Sequence, residues 1–592
     1  MFCKDTERLA FATILCISIV AGDGCARARD RSVERLAVMP IENLSPDAGF
    51  NWRSRAAAAV VAYDLAGAKN LFARETDSTS AAQSMQASRM LEGYFVERNG
   101  RIGIHATLED LTRNKTLASF ELSGAAQAGF LPLANELAQR LSADARKFGT
   151  SNESAFQFYG EALTAPNAQS MQQDLESATG ADSGFAPAYI DEVKMFAEKG
   201  DREGARRAAE DGRRARLDAI EQANLEYAAA TVDGNARDQI QALESLTRAT
   251  PANANIFKEL GQLRYRRREF QKAALEYRAA ARLDPDDPET WNELGYALAS
   301  GKDLRGAWDA LAQYQKLAPE DNNVLDSEGE VSYMRGDFKS AEESFARAAA
   351  RNPAEWVKAA EARLMTGDLK GADALFLRRW GPTPRLKNTA ANYEVAQWEF
   401  LTGRRNAGWA KMEDLAAKTS GDWQLLELSQ MVVWRLEMGD RKGAQELAGR
   451  LDVQRAQSQE ARGMSELARW LAQRGAADSN SKMANTYALL FGKQFQQALP
   501  LLQAMYSETN PSNDGAVRTL LGWAYVATGA PDKAANLVDS YPLPLSSGDG
   551  MFAALIFPRY LAVRSTVLER EGKKEEAAQS HQLYVKYAGA TN

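Results

Sequence analysis

Between Pro251 and Pro353 the apolar and small positions of the chain return at one fixed interval. Phe257, Trp291 and Leu325 stand 34 residues apart, as do Gly261, Gly295 and Gly329, and Ala273, Ala307 and Ala341. Tyr277, Leu311 and Phe345 keep the same step, and so do Pro251, Pro285, Pro319 and Pro353. A repeat of this length predicts one helix, a turn and a second helix per period. Gly and Ala stand where the two helices cross, because a larger side chain there would hold the backbones apart. Phe, Trp and Leu fill the space between successive pairs. Pro ends the second helix, since it has no N–H to give and clashes with the preceding turn. One such pair cannot bury its own apolar face. Stacked neighbours can, and the result is a solenoid that grows by addition.

These positions resemble the tetratricopeptide repeat (TPR) signature almost throughout. A second mark follows the repeats beyond the regular stretch: a Gly five residues before the crossing Ala. It occurs as Gly200/Ala205, Gly336/Ala341, Gly367/Ala372, Gly439/Ala444, Gly529/Ala534 and Gly572/Ala577. Gly234/Gln239 and Gly403/Gly408 keep the place with another residue at the crossing, while Gly301/Ala307 and Gly492/Ala498 read as one residue longer. The Gly suits a left-handed helix end. Asp201, Asp337, Asp368 and Asp440 follow it as caps for the second helix. The marks predict a regular TPR array over 155–375 and a degenerate TPR-like continuation over 385–592, with breaks near 380–384 and 474–481. The expected fold class is mostly α: a TPR-type helical-repeat solenoid preceded by a small α/β domain.

That α/β domain is expected over 33–148. An apolar run at 35–41 precedes the turn Asn43-Leu-Ser-Pro-Asp47, which reads as strand then loop. An Ala- and Val-rich segment at 52–65 reads as a helix, 71–74 as a strand and 78–90 as a second helix. Strands follow at 91–98, 101–110 and 116–123, then a closing helix at 131–145. Asn99-Gly100 is a strong hairpin signal between two of the strands. Leu36-Ala-Val-Met-Pro-Ile-Glu-Asn-Leu-Ser-Pro-Asp47 and Met90-Leu-Glu-Gly-Tyr-Phe-Val96 resemble the TolB amino-terminal-like domain. In bacteria that domain often precedes TPR arrays in transmembrane regulators. The resemblance implies the sensory or binding half of such a regulator, without its output domain. Gly149-Thr-Ser-Asn152 reads as the linker to the repeats.

Composition narrows the function. Net charge is −7, which argues against a nucleic-acid partner. Cys3, Cys16 and Cys25 are the only cysteines, so the body beyond residue 25 has no thiolate nucleophile, disulfide or Cys-based zinc site. The two histidines, His105 and His581, fall in different predicted domains and form no metal motif. Gly295-Tyr-Ala-Leu-Ala-Ser-Gly301-Lys302-Asp303 is one residue too long for a phosphate loop. Asp also stands there where Ser or Thr would hold magnesium, and the repeat lattice already explains both glycines. No Gly-x-Ser-x-Gly elbow is present. The arginine run at 202–216 is interleaved with Asp and Glu and reads as a solvated helix face. Trp291, Trp398, Trp409, Trp423 and Trp434 read as repeat core. No enzyme and no cofactor is expected.

The leading expectation is a protein-binding scaffold. In TPR proteins the first helix of each repeat lines a concave groove. The resemblance places Asn255, Lys258, Gln262 and Tyr265 there. Glu289, Asn292, Tyr296 and Ala299 follow in the next repeat, then Asn323, Asp326, Glu330 and Tyr333. One Lys among several carboxylates does not suit a carboxyl-terminal clamp. Asn and Tyr suit an extended, neutral-to-basic peptide. The alternatives are a periplasmic sensor of a small molecule or glycan, or the detached sensory half of a signalling regulator. Residues 1–28 read as a bacterial export signal, with an apolar run at 9–21 after Lys4 and Arg8. Cys25 after Gly24 resembles a lipoprotein's lipid-accepting cysteine, although Gly22 stands where Leu is usual; simple cleavage near Ala26-Arg27-Ala28 is the other reading. The expected location is the cell envelope, in the periplasm or lipid-anchored at the outer membrane. If Cys25 carries lipid, Cys25→Ser moves the mature protein from the membrane fraction to the soluble periplasm. Unchanged fractionation excludes the lipid.

Overall fold

The computed structural model describes residues 33–380, 389–451, 482–511, 514–538 and 553–588, with scattered positions between 452 and 481. Residues 1–28 and Cys25 therefore lie outside the described residues, as do the whole of the predicted break at 474–481 and all but Trp380 of the one at 380–384. The chain begins with β1 (Glu34–Val38), β2 (Glu42–Asn43), α1 (Trp52–Asp64), β3 (Leu71–Glu75) and α2 (Thr79–Ser84). It continues through β4 (Arg89–Arg98), β5 (Arg101–Asp110), β6 (Lys115–Ala125) and α3 (Leu131–Leu141). The sheet order is β3-β1-β4-β5-β6, with β1 parallel to β3 and β4, and β4, β5 and β6 antiparallel. In β5 the alternation is strict: Ile102, Ile104, Ala106 and Leu108 are buried and the residues between them are less so. Asn99 and Gly100 both have positive φ, 52° and 70°, and set the register Arg98↔Arg101. This is the mirror-image turn that the twist of two antiparallel strands favours.

The expected second helix is cut short. It ends at Ser84, Gln86 turns through φ 51°, and Met90 and Leu91 pair with Glu109 and Leu108 of β5. Strand pairing outweighs the local helical pattern there. The closing helix also stops early, at Leu141, because Ser142 is extended.

From Glu153 to Ala588 the described chain is helices stacked in antiparallel pairs, the expected solenoid. The repeating glycines meet the repeating aromatics. A Cβ on Gly329 would lie 2.5 Å from Phe345, one on Gly261 2.9 Å from Tyr277, and one on Gly295 2.9 Å from Leu311. Ala273, Ala307 and Ala341 are fully buried at the same crossings. Between the helices of a pair, one residue is left-handed. Gly occupies it at 200, 234, 336, 367, 403, 439, 529 and 572. Arg268, Lys302 and Lys493 occupy it in three other pairs. The loops at 301 and 492 are therefore not one residue longer: Gly301 is ordinary, at φ −80°, and Lys302 takes the left-handed place. Each such non-Gly residue costs ~1–2 kcal/mol. The side chains of Asp201, Asp337, Asp368 and Asp440 accept the N–H three residues on and cap the second helix.

Residues 149–152 do not separate two cores. Trp52, Phe148, Phe156, Tyr159 and Phe185 pack edge to face across them in one continuous cluster. Glu153, at the start of the first solenoid helix, accepts the N–H of Phe130 and caps α3. Gly160 lies so close under Trp52 that a Cβ would come within 2.4 Å of the indole.

The crossings predict opposite effects for one substitution. Gly329→Ala should lower the melting temperature, by ~1–3 kcal/mol of stability, because the new Cβ would lie 2.5 Å from the fully buried ring of Phe345. Gly180→Ala, on an open helix face with nothing within 4 Å, should raise stability by ~0.5–1 kcal/mol. Thermal denaturation followed by circular dichroism checks both.

Candidate functional site: the concave face

The first helices of successive repeats, Ala254–Arg266, Pro288–Ser300, Asn322–Met334 and Glu355–Met365, lie side by side. Their facing polar side chains are joined from one repeat to the next. Lys258 Nζ lies 2.8 Å from both Asp287 and Glu289. Gln262 donates to Glu293 Oε1 at 2.8 Å. Ser327 Oγ donates to Asn292 Oδ1 at 2.9 Å. Tyr296 OH donates to Glu330 Oε2 at 2.8 Å and lies 3.1 Å from Ser327 Oγ. Lys358 Nζ then sits among Asp326 at 2.6 Å, Glu330 at 3.1 Å and Glu355 at 3.4 Å. The ladder continues for four repeats, so these groups spend their hydrogen-bonding capacity on each other.

The expected groove residues divide accordingly. Asn255, Glu289 and Asn323 are exposed. Lys258, Gln262, Asn292, Tyr296, Asp326 and Glu330 are half-buried in the ladder. Tyr265 stacks edge-on against Phe270 and reaches Ser300 Oγ at 3.3 Å. Ala299 and Tyr333 are buried. Tyr333, expected as an open contact, is 2% exposed because Tyr560 covers it, the two hydroxyl oxygens 3.5 Å apart. Helix Ala553–Arg570 and helix Lys574–Ala588 bring this cover from the far end of the chain. Phe557, Tyr560, Leu561, Leu583 and Tyr587 share a core with Tyr333, Trp398 and Trp434. Tyr587 OH donates to Leu364 O at 3.0 Å and Lys586 Nζ to Gly367 O at 2.7 Å.

Burial sets the charge states. Glu293 is pushed up to about 7 by desolvation, against the stabilising bond from Gln262. Glu330 is also raised by burial, with Lys358 opposing. Burial acts to lower Lys358, but Glu330 and Asp326 outweigh it and hold the ammonium above its ordinary value.

Sequence reasoning missed Glu293, Ser327, Lys358 and the covering tyrosines. Lys358 lies 32 residues after Asp326, off the strict period of 34, so the lattice does not point to it. The covering helices carry no local sign of their docking place. Among the tryptophans, Trp398 and Trp434 are core, while Trp423 is 39% exposed and is not. His105 stacks on Tyr94 on the open face of the sheet and is half-buried. Among the described residues no group of His, Cys, Asp and Glu has the arrangement of a metal site. No described helix is long and apolar enough to cross a membrane.

The α/β domain closes one end of the face. Arg35 Nη1 pairs with Asp284 at 2.5 Å and Gln86 donates to Asp286 O at 2.9 Å. Between them lies a cleft of about 240 Å³ lined by Arg35, Arg74, Asn255, Lys258 and Glu289, among others.

Part of the chain is similar to known repeat proteins. The tetratricopeptide repeat family matches residues 492–546, within the stretch where the period is weakest. A TPR repeat-containing protein of Pseudomonas aeruginosa is 25% identical over 182 residues, which are 30% of this chain and 31% of that protein. The chain thus spans about a third of that relative's length. Among solved structures, the C-terminal part of a TPR repeat-containing protein from Cytophaga hutchinsonii is similar at 16% identity and a TM-score of 0.34, over 40% of this chain and 97% of that one. A tetratricopeptide repeat protein from Parabacteroides merdae is similar at 14% identity and a TM-score of 0.30, over 48% of this chain and 98% of that one. Residues 492–546 thus match the tetratricopeptide repeat family, and the stacked helix pairs described above have the form of such a repeat.

Glu293 predicts a pH dependence. Its folded value is raised above that of the unfolded chain, so the native state holds the extra proton between about 4.5 and 7. The stability this provides is complete below the unfolded value and lost as pH rises through 7. Glu293→Gln should therefore flatten the fall in melting temperature between pH 5 and pH 8. An equal slope in wild type and variant excludes Glu293 as a source of it.

Proposed function

We propose that this is a non-enzymatic scaffold that holds an extended, neutral-to-basic segment of another protein along its concave face. The observation that carries the reading is the ladder itself. It fixes the first helices of four repeats at one spacing while leaving Asn255, Glu289 and Asn323 exposed along it. Asparagine amides can bond the backbone of an extended segment, and the excess of carboxylates disfavours an acidic one. Asn255 and Asn323 replace the tyrosines as the first contacts, beside the exposed but Lys258-paired carboxylate of Glu289, because Tyr296 is bonded to Glu330 and Tyr333 is covered. Export, a lipid on Cys25 and placement in the cell envelope belong to the same proposal, supported by the pattern at 1–28. The TolB-like character of the first domain rests on its two motifs, and the order of its strands and helices is compatible with it.

The alternative, a sensor of a small molecule or glycan, would use the cleft between the sheet and the repeats. At about 240 Å³ that cleft is below the ~300–1,000 Å³ usual for ligand pockets, and Asp284 already satisfies Arg35 within it. Larger hollows of about 780 Å³ beside Arg213, Glu226 and Asp233 and about 470 Å³ beside Arg278 and Trp291 are of ligand size, so it is the ladder and not cavity volume that favours the scaffold reading.

Photo-crosslinking amino acids placed singly at Asn255 and Asn323, and at exposed Leu275 on the second helix of its repeat, test it in cells. The scaffold reading expects one protein adduct from both asparagine sites and none from Leu275. Adducts from Leu275 alone would put the partner on the opposite face and overturn it.

A further inference from the structure

The solenoid meets itself. Arg268 and Asp514 are 246 residues apart, Tyr333 and Tyr560 are 227, and Leu364 and Tyr587 are 223. These separations lie between about six and a half and seven and a quarter periods of 34, so the array curls until its last described helices touch its middle repeats. The contacts on the two sides of this seam differ in kind. Around Tyr333 the seam is apolar, built from Phe557, Tyr560, Leu561, Leu583 and Tyr587. Around the repeat that begins at Ala254 it converges on one side chain. Arg268 Nη2 pairs with Asp514 at 2.7 Å, its Nη1 donates to Thr509 O at 3.2 Å, and its guanidinium lies 3.8 Å from the ring centre of Tyr506. The arginine side chain is 14% exposed and the aspartate 4%.

Arg268 is one of three non-Gly residues, with Lys302 and Lys493, at the left-handed place of the lattice, and of the three it is the one whose side chain makes the seam contact described above. It has φ 60° in the turn where eight sister loops have Gly in the same left-handed conformation. The repeat does not need an arginine there: Gly would relieve the backbone. The residue makes sense for the seam, which its side chain reaches and a glycine could not.

We propose that Arg268 is a latch that holds the solenoid closed, with the apolar contact at Tyr333 and Tyr560 as the hinge about which it opens. Opening at Arg268 frees the turn that follows helix Ala254–Arg266 from Tyr506, Thr509 and Asp514 and so loosens the closed edge of the array. On the scaffold reading above, the latch sets how readily a partner segment enters. Closing and opening, however, belong to the chain alone and are measurable without a partner.

The test uses the full chain with Cys3, Cys16 and Cys25 changed to Ser and with nitroxide spin labels on cysteines introduced at Arg267 and Ser507, both exposed. Double electron–electron resonance then reads the distance across the seam. The latch predicts a single narrow distribution in the parent. Arg268→Gly should shift it to longer distances and broaden it, with helical circular dichroism unchanged because Gly is native to this turn type. Asp514→Asn, which leaves Arg268 in place, should produce a shift in the same direction. A distribution unchanged in both variants overturns the proposal. So does a shift in Asp514→Asn without one in Arg268→Gly, since that would place the closing contact on a partner of Asp514 other than Arg268.

Discussion

The structure depends on how closely two helices of a repeat can approach. Gly261, Gly295 and Gly329 remove the Cβ that would strike Tyr277, Leu311 and Phe345, and buried Ala273, Ala307 and Ala341 do the same from the second helix. At that distance the facing helix fills the gap, and each pair presents an apolar surface that only another pair can cover. Dispersion and burial then add along one dimension. The aromatic residues on this surface gain most by stacking, as Phe376 does on Trp398 and Phe400 on Trp434, with ring centres 4.4 Å and 4.0 Å apart.

A stack of this kind has two ends that must be closed. At the first, the α/β domain does more than cap it. The sheet's core passes into the first repeats through Trp52, Phe156 and Phe185, so sheet and solenoid share one buried surface. Ion pairs reinforce the junction, Arg146 with Asp218 and Arg35 with Asp284, the second at a later repeat. At the other end, curvature brings the last helices back onto the middle of the array. The same regular step from repeat to repeat produces both the concave face and the contact that covers part of it.

The polar residues of that face follow from its curvature as well. On the inside of a curved stack the first helices crowd together. Lys258, Gln262, Asn292, Tyr296 and Lys358 bridge to the next repeat instead of projecting freely. Burial raises Glu293 and Glu330, yet each keeps a bonding partner. Few side chains of such a face are left outside the ladder.

The sequence alone determined the repeat, the fold class and most strands and helices, because these depend on spacing along the chain. The period of 34 fixed which residues cross, and Asn99-Gly100 fixed the hairpin. It also picked out Asp201, Asp337, Asp368 and Asp440 as caps, since a cap acts within four residues of its own position. The tertiary structure decided what no local pattern records. It shortened the second helix, since pairing of Met90 and Leu91 with β5 is a contact across the fold. It assigned the left-handed place to Lys302 rather than Gly301. It buried Tyr333 under Tyr560 and joined Arg268 to Asp514. Those contacts span more than 200 residues and depend on the sum of small rotations from one repeat to the next. A small change in each rotation would move the last described helices away from the middle repeats, and for that reason the closed seam cannot be read from any one stretch of the chain.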